Sequence, residues 1–369
     1  MGLLYTSKHR KATWLELFFD LIFVVLIGKI THILGHVENG RIELDYMIKF
    51  ILMFMPVWWI WTNHTLYLNF YDDDSKITRL FTLIIMLFII VLSIFVDTDF
   101  EKNYVGFIIF YSAIRLFISL LYVISIKRHK EFGTYTKTVA YIYLINTILG
   151  FSSLLFSSLF RFVVVYMSII LDLVLPMIFT RKKMSIIIHK EHLIERTGLL
   201  AIILLGESVI SLTSSISGIE WNISNIIAAL SGFVLIGIIW WIYFDSFELL
   251  LESKKIHRPY IIILPQLLVY IGLAVVANVI RFGILHNLNI QQYRILALLG
   301  IDLLFLGQQI PYLLLCDTVR KSFLKRFITL IVLCTISIML PREEYILLGF
   351  VCSAFIYVII KNVLYKNYN

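Results

Sequence analysis

Two carboxylates stand four residues apart in a segment that is otherwise apolar enough to enter a bilayer. Glu16 and Asp20 lie in TWLELFFDLIFV, residues 13–24, on one stripe of a predicted helix. A carboxylate near the bilayer centre is unfavourable by roughly 2.5 to 3.5 kcal/mol, so such groups are usually paired or face a wet cavity. Glu16 and Asp20 are therefore candidates for ion or proton binding. The alternative is that they only hold neighbouring helices together.

Four other ionisable side chains fall well inside apolar segments: Arg115, Asp172, Glu207 and Asp302. We expect Arg115 and Asp172 near the middle of the membrane. A buried pair between them, or between Arg115 and Asp20, is the arrangement of lowest cost. Such a pair could serve the structure alone.

Glu207 lies in GESVISLTSS, residues 206–215, where Glu207, Ser211 and Ser214 follow an i, i+4, i+7 pattern. A polar stripe of this kind can line a water-filled path. The alternative is serine contacts between packed helices beside one paired acid. The predicted transport or gating residues are Glu16, Asp20, Arg115, Asp172 and Glu207.

Other patterns carry weaker signals for chemistry. His189, His192 and Glu195 follow one another at spacings of three, which fits a metal or proton site but is more typical of a solvated cytoplasmic helix face. The sequence has no HExxH, phosphate loop, GxSxG or CxxC motif. We therefore expect no catalytic residues, no metal site, no cofactor and no enzymatic activity.

The composition indicates an all-α polytopic membrane protein. Hydrophobic residues make up 60% of the chain, charged residues 15%, and the mean hydropathy is +0.90, so there are too few charges to cover a surface in water. The apolar runs are too long and unbroken for barrel strands. About twelve membrane helices are predicted, at residues 13–35, 47–69, 79–96, 104–126, 138–160, 162–180, 197–216, 222–244, 259–280, 294–315, 324–340 and 344–362.

The distribution of basic residues predicts the orientation. With the N-terminus inside, 23 of the 32 Lys and Arg residues fall on the cytoplasmic side, six fall outside and three lie within spans. This bias predicts an even number of membrane helices with both termini in the cytoplasm. It also explains the net charge of +8 without nucleic acid. The expected partners are membrane lipids and a small ion.

A short internal match suggests two parallel six-helix repeats, with halves at residues 1–180 and 181–369. The second predicted helix of each half carries an aromatic block, Trp58 and Trp59 in the first and Trp240 and Trp241 in the second. Two such halves would be related by an axis along the membrane normal. Aromatic belts at the headgroup level explain tandem tryptophans equally well.

Several blocks resemble one known family. TWLELFFDLIFVV at 13–25, WWIWTN at 58–63, HLIERTGLLAIILLGESV at 192–209 and WWIYFD at 240–245 are similar to the bacterial low temperature requirement protein A family. Arg115 and Asp172 also match in order and character. The resemblance implies a multi-pass inner-membrane protein, named for a growth phenotype in the cold and without a settled biochemical activity.

The fragment LELFFDLIF is also similar to the opening helix of lysosomal and bacterial potassium or proton channels with six-helix repeats. That family has an FSD motif in its pore region. Here Phe19 stands in place of the serine, and Leu21 in place of the glycine that follows the aspartate.

Two functions are compatible with these features. The first is a transporter or channel that moves protons or a small cation through intramembrane carboxylates. The alternative is a non-transporting membrane protein that affects envelope or lipid behaviour during growth in the cold, with its buried charges joining helices.

Overall fold

A computed structural model of the chain describes residues 10–180, 188–217, 219–252, 259–316 and 320–366. The described residues form α-helices and short 3-10 turns, without a β-strand. The helices are α1 (Trp14–Leu34), α2 (Leu44–Tyr71), α3 (Lys76–Ile94), α4 (Phe100–Arg128), α5 (Gly133–Ser152), α6 (Ser158–Phe179), α7 (Lys190–Ile216), α8 (Ile223–Phe244), α9 (Phe247–Glu252), α10 (Tyr260–Leu285), α11 (Ile290–Leu315), α12 (Arg320–Ser337) and α13 (Glu343–Lys366).

Eleven helical segments in the described part of the chain are long and apolar enough to cross a membrane. The predicted all-α polytopic membrane fold is thereby confirmed. α12, which overlaps the predicted span at 324–340, is less apolar than the others because it carries four basic residues in its first two turns: Arg320, Lys321, Lys325 and Arg326.

Two helix boundaries differ from the sequence prediction by seven or more residues. α7 begins at Lys190, seven residues before the predicted start at 197. This extra stretch, which is rich in charged residues, is helical because one of its faces is buried, including His192, Leu193 and Arg196. The break predicted near residue 161 lies earlier, because α5 ends at Ser152 and α6 begins at Ser158.

A capping box starts α1. The Thr13 amide donates to Glu16 Oε2 over 2.7 Å, and the Glu16 amide donates to Thr13 Oγ1 over 3.3 Å. The two side chains thereby satisfy amides that have no partner within the first turn. Local structure thus orients Glu16 Oε2 at the beginning of the helix.

The chain folds into two compact units. The first takes in the described residues of Met1–Ile30, Ile51–Arg196 and Ile256–Pro259, and the second those of Thr31–Phe50, Thr197–Lys255 and Tyr260–Asn369. In the first unit, α3 packs against α4, α4 against α5, and α5 against α6. In the second, α13 packs against α8 and α12, and α10 packs against α8 and α11. The proposed division into two parallel six-helix repeats stays a prediction.

The closest helix pair of the second unit is α10 with α11, where glycines let the backbones approach. A Cβ atom on Gly272 would lie 2.5 Å from the Leu304 backbone nitrogen, and one on Gly307 would lie 2.6 Å from the Pro265 carbonyl oxygen. Small residues of this kind are typical of membrane helix interfaces, where packing replaces the hydrophobic effect. This pair is closely packed within the second unit.

Candidate functional site

The Glu16 carboxylate is buried and bonded to several donors of the first unit. Its side chain is about 2% exposed. His192 Nε2 lies 2.9 Å from Glu16 Oε1, and Arg196 Nη1 lies 3.3 Å from the same atom. Arg10 Nη2 approaches it at 3.4 Å. Two guanidinium groups and an imidazole therefore replace the water that this carboxylate loses on burial.

The hydrogen bonds of His192 fix its tautomer. Asn69 Nδ2 donates to His192 Nδ1 over 3.0 Å, and the same amide nitrogen also donates to the His189 carbonyl over 2.8 Å. Since Nδ1 accepts, the ring proton of a neutral imidazole lies on Nε2 and is donated to Glu16. The His192 side chain is fully buried. It therefore acts as a neutral donor that orients the Glu16 carboxylate.

Asp20, one turn further along α1, is bound by Arg196 and a tryptophan. Arg196 Nη2 and Trp61 Nε1 each donate to Asp20 Oδ1 over 2.7 Å. The guanidinium also lies 5.9 Å from the Trp61 ring centroid, within the range of a cation–π contact. Asp20 is 2% exposed and Arg196 is fully buried. We name Glu16, Asp20, Trp61, His192 and Arg196 the α1 charge cluster.

Arg115 and Asp172 form a second buried ion pair in the first unit. Of the two partners predicted for Arg115, Asp172 is therefore the observed one. Arg115 Nη1 also donates to Ser168 Oγ over 2.9 Å, and Asn146 Nδ2 donates to Asp172 Oδ1 over 2.7 Å. A Cβ atom on Gly150 would lie 3.4 Å from Arg115 Nη1, so the glycine leaves room for the guanidinium. The pair ties α4, α5 and α6 together.

Glu207, on the part of α7 that belongs to the second unit, has a different environment. It is 3% exposed, and its Oε1 atom has no hydrogen-bond partner among the described residues. The buried polar residues that accompany it on α7 are Ser208, Ser211 and Ser215. Ser214, which the sequence placed on this stripe, is exposed, because the buried face follows 207, 211 and 215. Glu207 is thus an intramembrane acid beside a serine-lined helix face.

His32 is the basic side chain near Glu207. Its Nε2 atom lies 3.9 Å from Glu207 Oε1, beyond hydrogen-bond distance, and its side chain is 53% exposed. Arg281 is another cation of the second unit. Its guanidinium packs against Gly35, which follows α1, where an added Cβ atom would lie only 2.6 Å from Arg281 Nη1. We name Glu207, His32, Ser208, Ser211 and Ser215 the Glu207 site.

Asp302 on α11 is a further intramembrane acid. Its Oδ1 atom is buried and has no hydrogen-bond partner within the described part of the chain. Its neighbours one turn away on α11 are all apolar: Leu298, Leu299, Phe305 and Leu306. Asp302 therefore resembles Glu207 in its charge and differs from it in lacking a polar helix face.

The two tryptophan pairs lie in different environments. Trp58 and Trp59 are 4% and 1% exposed, whereas Trp240 and Trp241 are 52% and 46% exposed. The first pair packs inside the protein, and the second faces outward on α8. Outward-facing tryptophans are typical of the aromatic belt at membrane interfaces.

Three of the residues that bind the α1 carboxylates were not predicted as site residues. Arg10, His192 and Arg196 were assigned to the cytoplasmic surface, yet His192 and Arg196 are buried and paired. One signal in the sequence could have identified His192 and Arg196. His192 and Arg196 are four residues apart, as are Glu16 and Asp20, so two helices can align two acids with two donors.

The described fold and its buried charges define a multi-pass helical membrane protein. The sequence profile of the bacterial low temperature requirement A protein (LtrA) family matches residues 11–362, nearly the whole chain. The protein therefore belongs to this family, and the resemblance seen in the sequence blocks is confirmed.

A relative is found in Rhizobium meliloti (strain 1021), where it is named an uncharacterized protein. It is 26% identical to this chain over 250 residues, which is 65% of the chain and 60% of the relative. The chain thus spans about 60% of the length of this curated relative.

Proposed function

We propose that this protein is a transporter or channel for protons or a small cation and that Glu207 is its ion-binding carboxylate. The observation that carries the proposal is the unpartnered Oε1 atom of a buried acid that lies beside buried serines of the same apolar membrane helix. Such an acid is costly unless it holds a proton, a cation or water. Glu207 is therefore available for exchange in a way that a tightly paired carboxylate is not.

The surroundings of Glu207 suit exchange. Ser208, Ser211 and Ser215 add hydroxyl groups to the same buried part of α7. His32, at 3.9 Å and half-exposed, can relay a proton between the surface and the carboxylate through a water molecule. His32 would then be the group that connects Glu207 with the surface.

The other predicted transport residues support a different role. Glu16 and Asp20 are bound by Arg196, and Asp172 is bound by Arg115. Removing either base would leave an uncompensated buried charge, so these acids do not release their partners readily. We assign them to helix packing, and we assign ion exchange to Glu207.

The proposal includes a location and an orientation. The excess of Lys and Arg on one set of loops supports a bacterial cytoplasmic membrane with both termini in the cytoplasm. Accessibility labelling of single cysteines introduced into loops on either side would test this orientation. Labelling of the loop between α3 and α4 from the cytoplasmic side would contradict it.

The transport proposal is tested by flux into liposomes. Purified protein is reconstituted, and proton and potassium entry are followed with pH-sensitive and potassium-sensitive dyes. We expect ion entry with the wild type and its loss with Glu207→Gln, which keeps the shape of the side chain and removes its charge. Asp302→Asn is the matched control, because it removes an intramembrane acid that lacks a polar helix face. Equal flux in wild type and Glu207→Gln, or no flux above empty liposomes, contradicts the proposal.

The second candidate is a non-transporting membrane protein that influences the envelope in the cold. The firm pairing of Glu16, Asp20 and Asp172 favours it, because paired charges join helices without needing an ion path. It predicts that none of the variants changes ion entry. Growth of cells in the cold would then depend only on the amount of folded protein in the membrane.

A further inference from the structure

Three side chains with metal-binding atoms meet in the second unit, at the ends of two helices. His286 directly follows α10, and Glu343 and Glu344 open α13. One ligand atom from each of the three lies within 4.8 Å of the others. Glu344 is 1% exposed, Glu343 is half-buried and His286 is exposed. A buried acid, a second acid and an imidazole therefore face a common point that is reachable from the surface.

The hydrogen bonds of Ser224, at the start of α8, fix the proton on the His286 ring. Ser224 Oγ lies 2.8 Å from Glu344 Oε1 and 3.3 Å from His286 Nε2. An ionised carboxylate can only accept, so the single serine proton goes to Glu344, and His286 Nε2 must donate to the serine oxygen. In a neutral imidazole, the lone pair then lies on Nδ1.

That lone pair faces another acceptor. His286 Nδ1 lies 3.2 Å from Glu343 Oε2. Two acceptor atoms at this distance repel each other unless a proton or a metal ion is bound between them. Zinc bound to one nitrogen and one oxygen at tetrahedral geometry holds these two atoms about 3.3 Å apart. The observed separation fits two ligands of one ion.

Two further groups near this point lack partners. Glu344 Oε2 is buried and has no hydrogen-bond partner among the described residues, and the same holds for the Tyr293 hydroxyl. Both are on fully buried side chains. Arg342 Nη1 lies 3.3 Å from Glu344 Oε1, but its side chain is 61% exposed and compensates only one of the two acids. The negative charge of the other acid, Glu343, is therefore available to a bound cation.

We propose that His286, Glu343 and Glu344 bind a divalent transition-metal ion of the zinc type. One imidazole and two carboxylates supply three ligands, and the exposed side leaves a fourth position for water. Ser224 orients the imidazole through its second nitrogen, as outer partners of metal-binding histidines do. The ion would tie the end of α10 to the start of α13. The sequence separation of 57 between His286 and Glu343 explains why no sequence motif marks the site.

Metal binding by the purified protein tests this proposal. Tag-free full-length protein in detergent is stripped with a chelator and titrated with Zn²⁺ by calorimetry and with Co²⁺ by visible absorption. We expect one ion per chain, with cobalt bands of a low-symmetry nitrogen and oxygen site. His286→Gln and Glu343→Gln should each weaken binding about 100-fold, and Ser224→Ala about 10-fold. Zn²⁺ should also raise the Tm of the wild type and leave that of His286→Gln unchanged.

Two variants make the test selective. His36→Gln is the matched control, because His36 is an exposed imidazole 4.0 Å from the single acid Glu38, and its loss should not change Zn²⁺ affinity. Arg342→Gln should strengthen binding, because it removes a cation that competes for Glu344. His286 is exposed, so its variant remains informative even if Glu344→Gln does not fold. Absence of binding in the wild type, or equal affinity in His286→Gln, would show a simple imidazolium–carboxylate pair and overturn the proposal.

Discussion

The α1 charge cluster of the first unit and the Glu207 site of the second compensate a membrane-embedded acid in opposite ways. In the cluster, Glu16 and Asp20 share the buried base Arg196, His192 donates a further hydrogen bond to Glu16, and Trp61 donates one to Asp20. At Glu207, the nearest base is a half-exposed histidine beyond hydrogen-bond distance. A buried base bonded directly to the acid makes that acid part of the packing. An acid without such a base is able to exchange what it binds.

The largest effect should come from Arg196→Met, which removes the base shared by two buried acids. We expect a loss of about 3 to 5 kcal/mol in the free energy of unfolding, because Asp20 then lacks its cation and Glu16 keeps only Arg10. Thermal melting and denaturant titration in detergent measure this loss. Arg79→Met is the control, because Arg79 pairs with Asp74 on an exposed helix end and should change stability little. An unchanged Tm in Arg196→Met would show that the cluster does not hold the first unit together.

A somewhat smaller effect is expected from Asp172→Asn, which leaves Arg115 with the hydrogen bond to Ser168. We expect a loss of about 3 kcal/mol, since one buried charge remains uncompensated. The double variant Arg115→Met, Asp172→Leu removes both charges and should recover part of that loss. Additive losses in the double variant would mean that the two side chains do not depend on each other.

Glu207→Gln should leave stability within about 0.5 kcal/mol of the wild type, because it leaves no buried base without its partner. The amide keeps the size of the side chain and carries no charge to desolvate. Melting curves of the two proteins, taken at equal lipid-to-detergent ratio, give the comparison. A loss as large as that of Asp172→Asn would place Glu207 among the packing residues instead.

The smallest effect concerns Asp73, an acid in the loop between α2 and α3. Burial raises the pKa of Asp73, but hydrogen bonds from Thr78 and Ser75 and the nearby Arg128 outweigh it, so the pKa lies below its usual value. Its contribution to stability is therefore present above the unfolded pKa near 4 and is lost as the pH falls through the folded pKa. Asp73→Asn should lose less stability than the wild type between pH 5 and pH 3. Parallel melting curves would contradict this.

The sequence predicted the fold well because length and apolarity alone define membrane helices. It also predicted Asp172 as one of two partners for Arg115, the other being Asp20, since a buried base and a buried acid at similar depth have few other partners. It did not reveal that Arg196 serves Asp20, because the polar start of α7 looked like a loop. The cost of a buried acid indicates that a partner exists, but only the packing of α1 against α7 within the first unit identifies it.

Proton flux per folded molecule, measured side by side for Glu207→Gln and Asp172→Asn, tests the difference between the two kinds of acid most directly. We predict that Glu207→Gln keeps the wild-type Tm and loses flux, while Asp172→Asn loses stability and keeps the flux of each folded molecule. The contrary result is wild-type flux in Glu207→Gln, or loss of both properties in the same variant.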